Sequence, residues 1–237
     1  MKEAASRKKA QDGRQQRADG ERSRLAILKA ASELATMEGL GGLSIARLAD
    51  HVGMSKSGLF AHFRSKEELQ LATIDTACAT FQREVVDPAM AQPPGLARMN
   101  AFCEAFFQHL ERGTFPGGCF FVSVASEFDA KNGPVRDSVL AAYSQILAKF
   151  GEIVREAQAI QELDSREDPA QLAFELDSYM LCVNFAYLFF RDPAAIARGR
   201  EAIRQRLARA MPTERTPEKR PRASASRAKA PRRPGGR

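Results

Sequence analysis

The sequence lacks tryptophan and has few residues of the kinds that build metal sites or disulfide frameworks. It contains three histidines and four cysteines: Cys78, Cys103, Cys119 and Cys182. The cysteines are scattered, form no CxxC pair and have no histidine at ligand spacing, so neither a zinc site nor a disulfide framework is predicted. We expect reduced thiols, no bound metal and no cofactor.

Long apolar runs are also missing. A membrane-spanning helix needs about 18 or more consecutive apolar residues. The longest apolar tract near the C-terminal end, Tyr179–Phe190, is shorter and is interrupted by Asn184. No apolar core follows the charged residues at the N-terminus, so a secretory signal is not indicated. These absences predict a cytoplasmic protein with no membrane partner.

β-branched residues are sparse and no stretch alternates between apolar and polar side chains, so an all-α fold is predicted. Capping residues and apolar periodicity predict about nine helices. Their approximate ranges are 22–38, 44–53, 55–63, 65–86, 96–112, 119–128, 135–161, 169–191 and 193–210. The predicted organisation is a flexible basic arm (1–21), a first helical domain (22–66), a second helical domain (67–210) and a disordered basic tail (211–237).

The net charge of +7 is spread unevenly along the 237 residues. Residues 1–24 carry +4 and residues 211–237 carry +7, which leaves −4 for residues 25–210. A basic balance suggests a nucleic-acid partner. Because most of the positive charge lies at the two ends, charge alone does not locate a binding surface.

The spacing between residues 44 and 63 is typical of a helix-turn-helix. Ala49 is small enough for two helices to cross closely, and Gly53 accepts the left-handed backbone of a tight turn. Leu59 lies where it can pack back into the junction. Such a motif holds its second helix away from the body of the protein, where it can enter a DNA major groove.

The run LSIARLADHVGMSKSGLFAHFRSKEEL, residues 43–69, resembles the DNA-binding domain of the tetracycline-repressor (TetR) family. The resemblance is densest there, within residues 25–69, and elsewhere extends only to length and the number and order of helices. It implies three N-terminal helices that bind DNA and a C-terminal helical domain for ligand binding and dimerisation.

The resemblance also implies roles for individual residues. Ser44 and Lys66 would contact phosphates, and Lys56 and Ser57 would reach base edges. Phe60 stands where the family usually has tyrosine, which removes a hydroxyl but keeps an apolar face. Arg47 and Arg64 are as well explained as solvated surface side chains as they are by backbone contacts. The predicted DNA-binding set is Ser44, Ile45, Arg47, Ser55, Lys56, Ser57, Phe60, Ala61, His62 and Lys66.

By the same resemblance, the chain is expected to be a homodimeric regulator, most simply a repressor on a near-palindromic operator, released by a small-molecule effector. The last two helices would pair with their copies. Their apolar residues supply both the monomer core and the dimer face: Leu172, Leu176, Tyr179, Val183, Tyr187, Ile196, Ile203 and Leu207. Phenylalanines at helical spacing are candidate pocket walls, although core positions explain most such residues. These candidates are Phe102, Phe106, Phe107, Phe120, Phe121, Phe128, Phe174 and Phe185.

Three other functions were weighed. Cys119 follows two glycines at a helix start, where a lowered thiol pKa would allow electrophile or redox sensing; a small buried residue is the simpler interpretation. An architectural DNA protein that tolerates any sequence would rely on the basic ends instead. Catalysis is not indicated, because the histidines form no HExxH or triad spacing and Gly39–Gly42 lacks the GK[ST] ending of a phosphate loop.

Overall fold

The computed structural model describes residues 2–212, and all regular structure in that range is helical. The predicted all-α class is confirmed. The helices are α1 (Lys2–Glu38), α2 (Ile45–Val52), α3 (Lys56–Phe60), α4 (Lys66–Phe81), α5 (Asp87–Met90), α6 (Leu96–Arg112), α7 (Phe120–Phe128), α8 (Pro134–Ala159), α9 (Pro169–Phe189) and α10 (Ala194–Ala210). The basic tail predicted over 211–237 lies outside the described residues, apart from its first two.

Helix α1 is longer than the sequence pattern predicted. Its backbone is helical from Lys2, whereas the arm over residues 1–21 was expected to be flexible. The segment is rich in alanine, lysine, arginine and glutamine, which are strong helix formers, and Arg22 pairs with Asp19 one turn away. Burial begins only at Ile27 and Leu28, so apolar periodicity marks where α1 packs and not where it starts.

The fourth helix does not stop at Asp87-Pro88 as predicted. A π-helical turn over Gln82–Val86 joins α4 to α5, and the three form one helical rod that runs to Met90. Asp87 N–H donates to the carbonyl of Gln82, five residues back, and this wider π turn lets the rod continue past Pro88, which has no N–H to donate. With this rod counted once, the described part of the chain contains nine helical units.

The C-terminal helices pack around a core built largely from phenylalanine. The rings of Phe102 and Phe150 lie 4.4 Å apart between centroids, and Phe81 meets Phe121 edge to face at 5.7 Å. Helix α9 packs between α8 and α10. Its contact with α10 is close, because a Cβ on Gly199 would lie 2.3 Å from a methyl carbon of Val183.

By length and composition, α9 is the one helix in the described range apolar enough to cross a membrane, with a third of that window buried. Two polar side chains, Asp177 and Asn184, are nevertheless buried within it. Glu175 on the same helix pairs with Arg206 of α10. Buried polar groups and an ion pair to a neighbour are features of a helix packed within a folded domain.

The start of α7 is attached to α9 through main-chain atoms. Cys119 N–H donates to Asn184 Oδ1 at 2.9 Å. Gly118 adopts a left-handed backbone (φ 87°), and a Cβ there would lie 2.1 Å from Leu188 Cδ1 and 2.6 Å from Asn184 Oδ1. Only glycine fits this junction without displacing α9.

Gly118→Ala is therefore expected to destabilise the protein by about 2 kcal/mol or more, because it combines a strained backbone with overpacking. The matched control is Gly20→Ala in α1, where nothing lies within 4 Å of the added Cβ. The control should be neutral or stabilising by up to about 1 kcal/mol. Urea unfolding followed by circular dichroism measures both, and equal stabilities for the two variants would contradict this account of the junction.

Candidate nucleic-acid interface and ligand chamber

Helices α2 and α3 form the helix-turn-helix that the sequence spacing predicts. Ser44 caps α2, and Gly53 ends it in the left-handed conformation (φ 68°). Ser55 then caps α3 by accepting a hydrogen bond from Gly58 N–H at 3.0 Å. Ala49 and Leu59 are fully buried where the two helices meet. The turn is therefore held by glycine geometry and two caps, and the packing of Leu59 fixes how α3 projects.

The outer face of α3 lies in solvent. Ser55, Lys56, Ser57, Phe60 and Ala61 are all exposed. Phe60 is 55% exposed, which is unusual for a side chain of its size unless a partner covers it. These residues form one continuous surface that combines a cation, hydroxyl groups and an apolar face, and their contact with DNA stays a prediction.

Three residues of the predicted set are engaged within the protein. The side chain of Ile45 is buried in the core, so its main chain at the start of α2 is the part available to a phosphate, and its contact with DNA stays a prediction. The guanidinium of Arg47 pairs with Glu38, with Nε 2.9 Å from Oε2. These hydrogen bonds hold the pKa of Glu38 below its usual value. Ser44 is occupied as a cap, since its Oγ accepts from Arg47 N–H at 3.2 Å.

The end of α3 is clamped by a residue that sequence reasoning did not select. Arg24 of α1 donates to the carbonyl of His62 at 2.5 Å, and its guanidinium lies 4.3 Å from the centre of the Phe63 ring. His62 is consequently half-buried. An arginine at the boundary between the charged arm and the apolar face of α1 was the available signal. Arg64, beyond the clamp, is exposed, and its main-chain N–H donates to Glu68 at 2.9 Å.

The loop between α1 and α2 is held from both sides at Gly41. Its N–H donates to Glu127 Oε1 of α7 at 2.6 Å, and its carbonyl accepts from Lys66 Nζ. Lys66 is exposed at the start of α4, but this hydrogen bond directs its ammonium toward the loop. A Cβ at residue 41 would lie 2.0 Å from Glu127 Oε1, so glycine is needed for the approach. Glu127 thus links the helix-turn-helix to the C-terminal helices.

The C-terminal helices enclose a small cavity of about 20 Å³, called here the chamber. It adjoins a surface cleft of about 150 Å³, and Phe81, Phe121 and Ile146 line both spaces. Of the predicted pocket residues, Phe106 and Phe121 line the chamber. Phe102, Phe107, Phe120 and Phe128 are buried in the core and line neither the chamber nor the adjoining cleft.

Phe174 and Phe185 do not line the chamber. They are 64% and 52% exposed. Phe174 instead lines a groove of about 390 Å³ between α8 and α9. Helical periodicity does not distinguish the inward face of a helix from the outward face when both are aromatic.

One ionisable pair lies in the chamber wall and was not selected from the sequence. Tyr143 O–H of α8 donates to Asp177 Oδ2 of α9 at 2.8 Å. Burial raises the pKa of Asp177, and the hydrogen bond from Tyr143 only partly opposes this rise. Burial and the neighbouring carboxylate raise the pKa of Tyr143 as well. The available signal was an aspartate in the middle of an otherwise apolar helix.

Cys119 also lines the chamber, but its surroundings raise the pKa of its thiol, whereas a sensing cysteine requires a lowered pKa. The side chain is 2% exposed, and burial raises the pKa of its thiol to about 11. Hydrogen bonds from the first turn of α7 lower this pKa only slightly. The simpler interpretation of Cys119 as a small buried residue is therefore confirmed, and burial outweighs the effect of the helix end on the pKa of its thiol.

The outward face of α9 is an aromatic stripe, defined here as Phe174, Phe185, Phe189 and Phe190. Phe189 and Phe190 are 70% and 66% exposed. The rings of Phe185 and Phe189 stack with centroids 4.9 Å apart. Most of the residues expected to form a dimer face are instead in the monomer core. Those with 5% exposure or less are Leu172, Leu176, Val183, Ile196, Ile203 and Leu207. Tyr179 and Tyr187 are half-buried.

The three histidines do not come together into a catalytic arrangement within the described residues. His51 and His62 belong to the helix-turn-helix, whereas His109 is buried and its Nδ1 is 2.9 Å from Glu84. No cluster of three or more metal-ligating side chains was found within residues 2–212.

Comparison with known proteins matches both parts of the chain. Residues 27–73 match the family described as bacterial regulatory proteins, tetR family. Residues 95–203 match the tetracyclin repressor-like C-terminal domain. Transcriptional regulator AcuR of Cereibacter sphaeroides is 25% identical over 149 residues, which is 62% of this chain and 68% of AcuR.

Solved structures share the fold. A TetR transcriptional regulator from Chloroflexus aurantiacus superposes with a TM-score of 0.74 at 22% identity, covering 81% of this chain and 96% of the other. AibR in complex with isovaleryl coenzyme A and operator DNA gives a TM-score of 0.57 at 24% identity, covering 69% of this chain and 85% of AibR. Together with the helix-turn-helix and the helical domain behind it, these matches show that the chain belongs to the TetR family and is a DNA-binding transcriptional regulator with a ligand-binding C-terminal domain.

Proposed function

We propose that the protein is a homodimeric repressor that binds a near-palindromic operator and leaves it when a small effector enters the chamber. The observation that supports this proposal is that the same chain has an exposed surface on α3 that can contact DNA bases and an uncovered aromatic stripe on α9. One α3 helix reads one half-site, so two copies related by a two-fold axis read a palindrome. Because the proposed partner is chromosomal DNA, we infer that the protein acts in the cytoplasm.

The aromatic stripe supports dimerisation through α9. Its four large side chains are each more than half exposed, and the rings of Phe185, Phe189 and Phe190 contact one another. Such apolar surface is rarely left in water. A second copy supplies an identical stripe, which is the self-complementary contact that a two-fold interface requires. The exposed residues of α10 are mainly charged or small, including Arg198, Glu201 and Arg204, so α10 suits the rim of such an interface.

Helix α7 supports a route from effector to DNA. Phe121 in its first turn lines the chamber, and Glu127 in its last turn bonds the loop at Gly41. A ligand that enters the chamber and displaces Phe121 moves α7. The other end of this short helix contacts the loop before the helix-turn-helix. A small shift there changes the separation of two reading heads in a dimer.

The test of specific regulation is a gel shift on DNA flanking the protein's own coding sequence, against random DNA, at several salt concentrations. Lys56→Ala with Ser57→Ala should lower affinity for the preferred fragment about 10- to 100-fold, because each good base contact contributes about 1–3 kcal/mol of discrimination. Removal of residues 1–21 and 213–237 should weaken binding to all fragments alike and reduce the salt dependence.

DNA binding that survives the double substitution but is lost when the two ends are removed would support the architectural alternative. Failure of the full chain to prefer any flanking fragment over random DNA would contradict specific regulation.

Dimerisation is tested by Phe185→Glu with Phe189→Glu, which places like charges in the aromatic stripe. Light scattering after size exclusion should report a dimer for the wild type and a monomer for the variant. Because the two half-sites are then bound independently, operator affinity should fall about 100-fold or more. Leu140→Glu on α8 is the control, since Leu140 is also exposed (51%) but lies outside the stripe. A dimeric double variant would contradict this interface.

The thiol-sensing alternative predicts modification of Cys119. Because its thiol is buried and its pKa is raised, we expect no label at Cys119 after iodoacetamide treatment of the native protein at pH 7.5. Mass spectrometry of the peptide measures this, and unfolding in guanidinium provides the control in which Cys119 reacts. Native labelling of Cys119 that also releases DNA would establish the sensor function instead.

A further inference from the structure

Asp177 is the one buried carboxyl group among the described residues. The other buried polar side chains have hydrogen-bond partners within the fold, although His109 Nε2 has none in the described residues. Asn184, two turns along the same helix, accepts the Cys119 N–H that attaches α7 to α9. Gln70 donates to the carbonyl of Leu40 at 2.7 Å, and His109 pairs with Glu84.

Asp177 has fewer stabilising contacts than these residues. Its side chain is 9% exposed, and the structure gives it one hydrogen bond, from Tyr143 to Oδ2. Within the described part of the chain, no lysine, arginine or histidine nitrogen lies within 4 Å of it, and no cation stabilises its charged form. A buried carboxylate is costly unless a positive group pairs with it. Asp177 lines the chamber, and its second oxygen has no hydrogen bond within the described residues.

The surroundings of Asp177 are apolar. The chamber brings together Phe81, Phe106, Val122, Ile146 and Met180 around the carboxyl group. The adjoining cleft has about 150 Å³, the volume of an engineered protein cavity that holds benzene. Lys149 at the rim of that cleft already pairs with Glu152, so its charge is balanced at the surface.

We propose that the effector is a small apolar amine whose ammonium group pairs with Asp177 and whose body, about the size of a benzene ring, lies between the cleft and the chamber. This inference rests on the proposed ligand response of the regulator and adds the chemical class of the ligand. The ammonium supplies the cation that the fold does not, and the body contacts the shared walls Phe81, Phe121 and Ile146.

Binding in this position also reaches the DNA-binding domain. The body fits the cleft, but the chamber that leads to Asp177 holds only about 20 Å³ before the effector enters, so an aminoalkyl chain that reaches Asp177 from the cleft displaces a shared wall. Phe121 belongs to α7, and α7 ends at the Glu127 contact with Gly41. Displacement of Phe121 is therefore transmitted to the loop that precedes the recognition hairpin.

Three probes with the same body test the ligand class: 2-phenylethylamine, 2-phenylethanol and 3-phenylpropanoate. Isothermal titration of the full-length wild type should show the amine binding at least about tenfold more tightly than the other two, because only the amine brings a positive charge that forms an ion pair with Asp177. The amine alone should then release DNA in the gel shift.

Asp177→Asn should abolish the preference for the amine while keeping the size of the side chain. Asp137→Asn on α8 is the matched control, since it removes the same charge from an exposed carboxylate and should leave amine binding unchanged. The comparison of three probes on the wild type needs no variant, so it decides the matter even if Asp177→Asn fails to fold.

Equal binding of amine and alcohol, stronger binding of the propanoate, an unaltered response of Asp177→Asn or no binding of any probe would overturn the proposal. A protein that binds the amine through Asp177 but prefers no DNA fragment would contradict the regulator function and leave the ligand class intact. A protein that prefers its own flanking DNA and ignores the amine would contradict only the ligand class.

Discussion

The contact between Glu127 and the main chain of Gly41 joins the two parts of this molecule. It needs a glycine at residue 41, because any Cβ would overlap the carboxylate. It also needs α7 in its observed position, which Gly118 and Asn184 set at the opposite end of that helix. The second oxygen of Glu127 is buried without a hydrogen-bond partner in the described residues, so the carboxylate is only half satisfied. A contact that is close but incompletely paired suits a junction that must change during function.

Three faces of helix α9 have different surroundings. One face fills the monomer core with Leu172, Leu176 and Val183. A second presents Asp177 to the chamber and Asn184 to α7. The third carries the aromatic stripe. The proposed effector site and the proposed dimer interface therefore share one helix, so the chamber and the proposed two-fold axis lie within about one helix diameter of each other, roughly 10 Å.

The helix-turn-helix was predictable from sequence because its determinants are local. Caps at Ser44 and Ser55, a left-handed glycine at Gly53 and small or apolar residues at the crossing act over a few residues, and the structure contains each of them. The clamp from Arg24 was not predictable, since it depends on where α1 passes the end of α3. The start of α1 was misjudged for a related reason: intrinsic helix propensity extends a helix beyond the part that packs.

Local pattern was sufficient for the all-α class, the helix order and the recognition hairpin, because hydrogen bonding and capping within a helix depend on neighbours three or four residues away. Whether a phenylalanine is buried, lines a cavity or lies in solvent was decided only by tertiary structure. The same aromatic residue fills the core at Phe102, lines a chamber at Phe121 and lies in water at Phe185, according to which helices surround it. Likewise, the pKa of Cys119 follows burial by distant segments and not the helix end beside it, because desolvation by the whole fold exceeds the effect of a few local N–H groups.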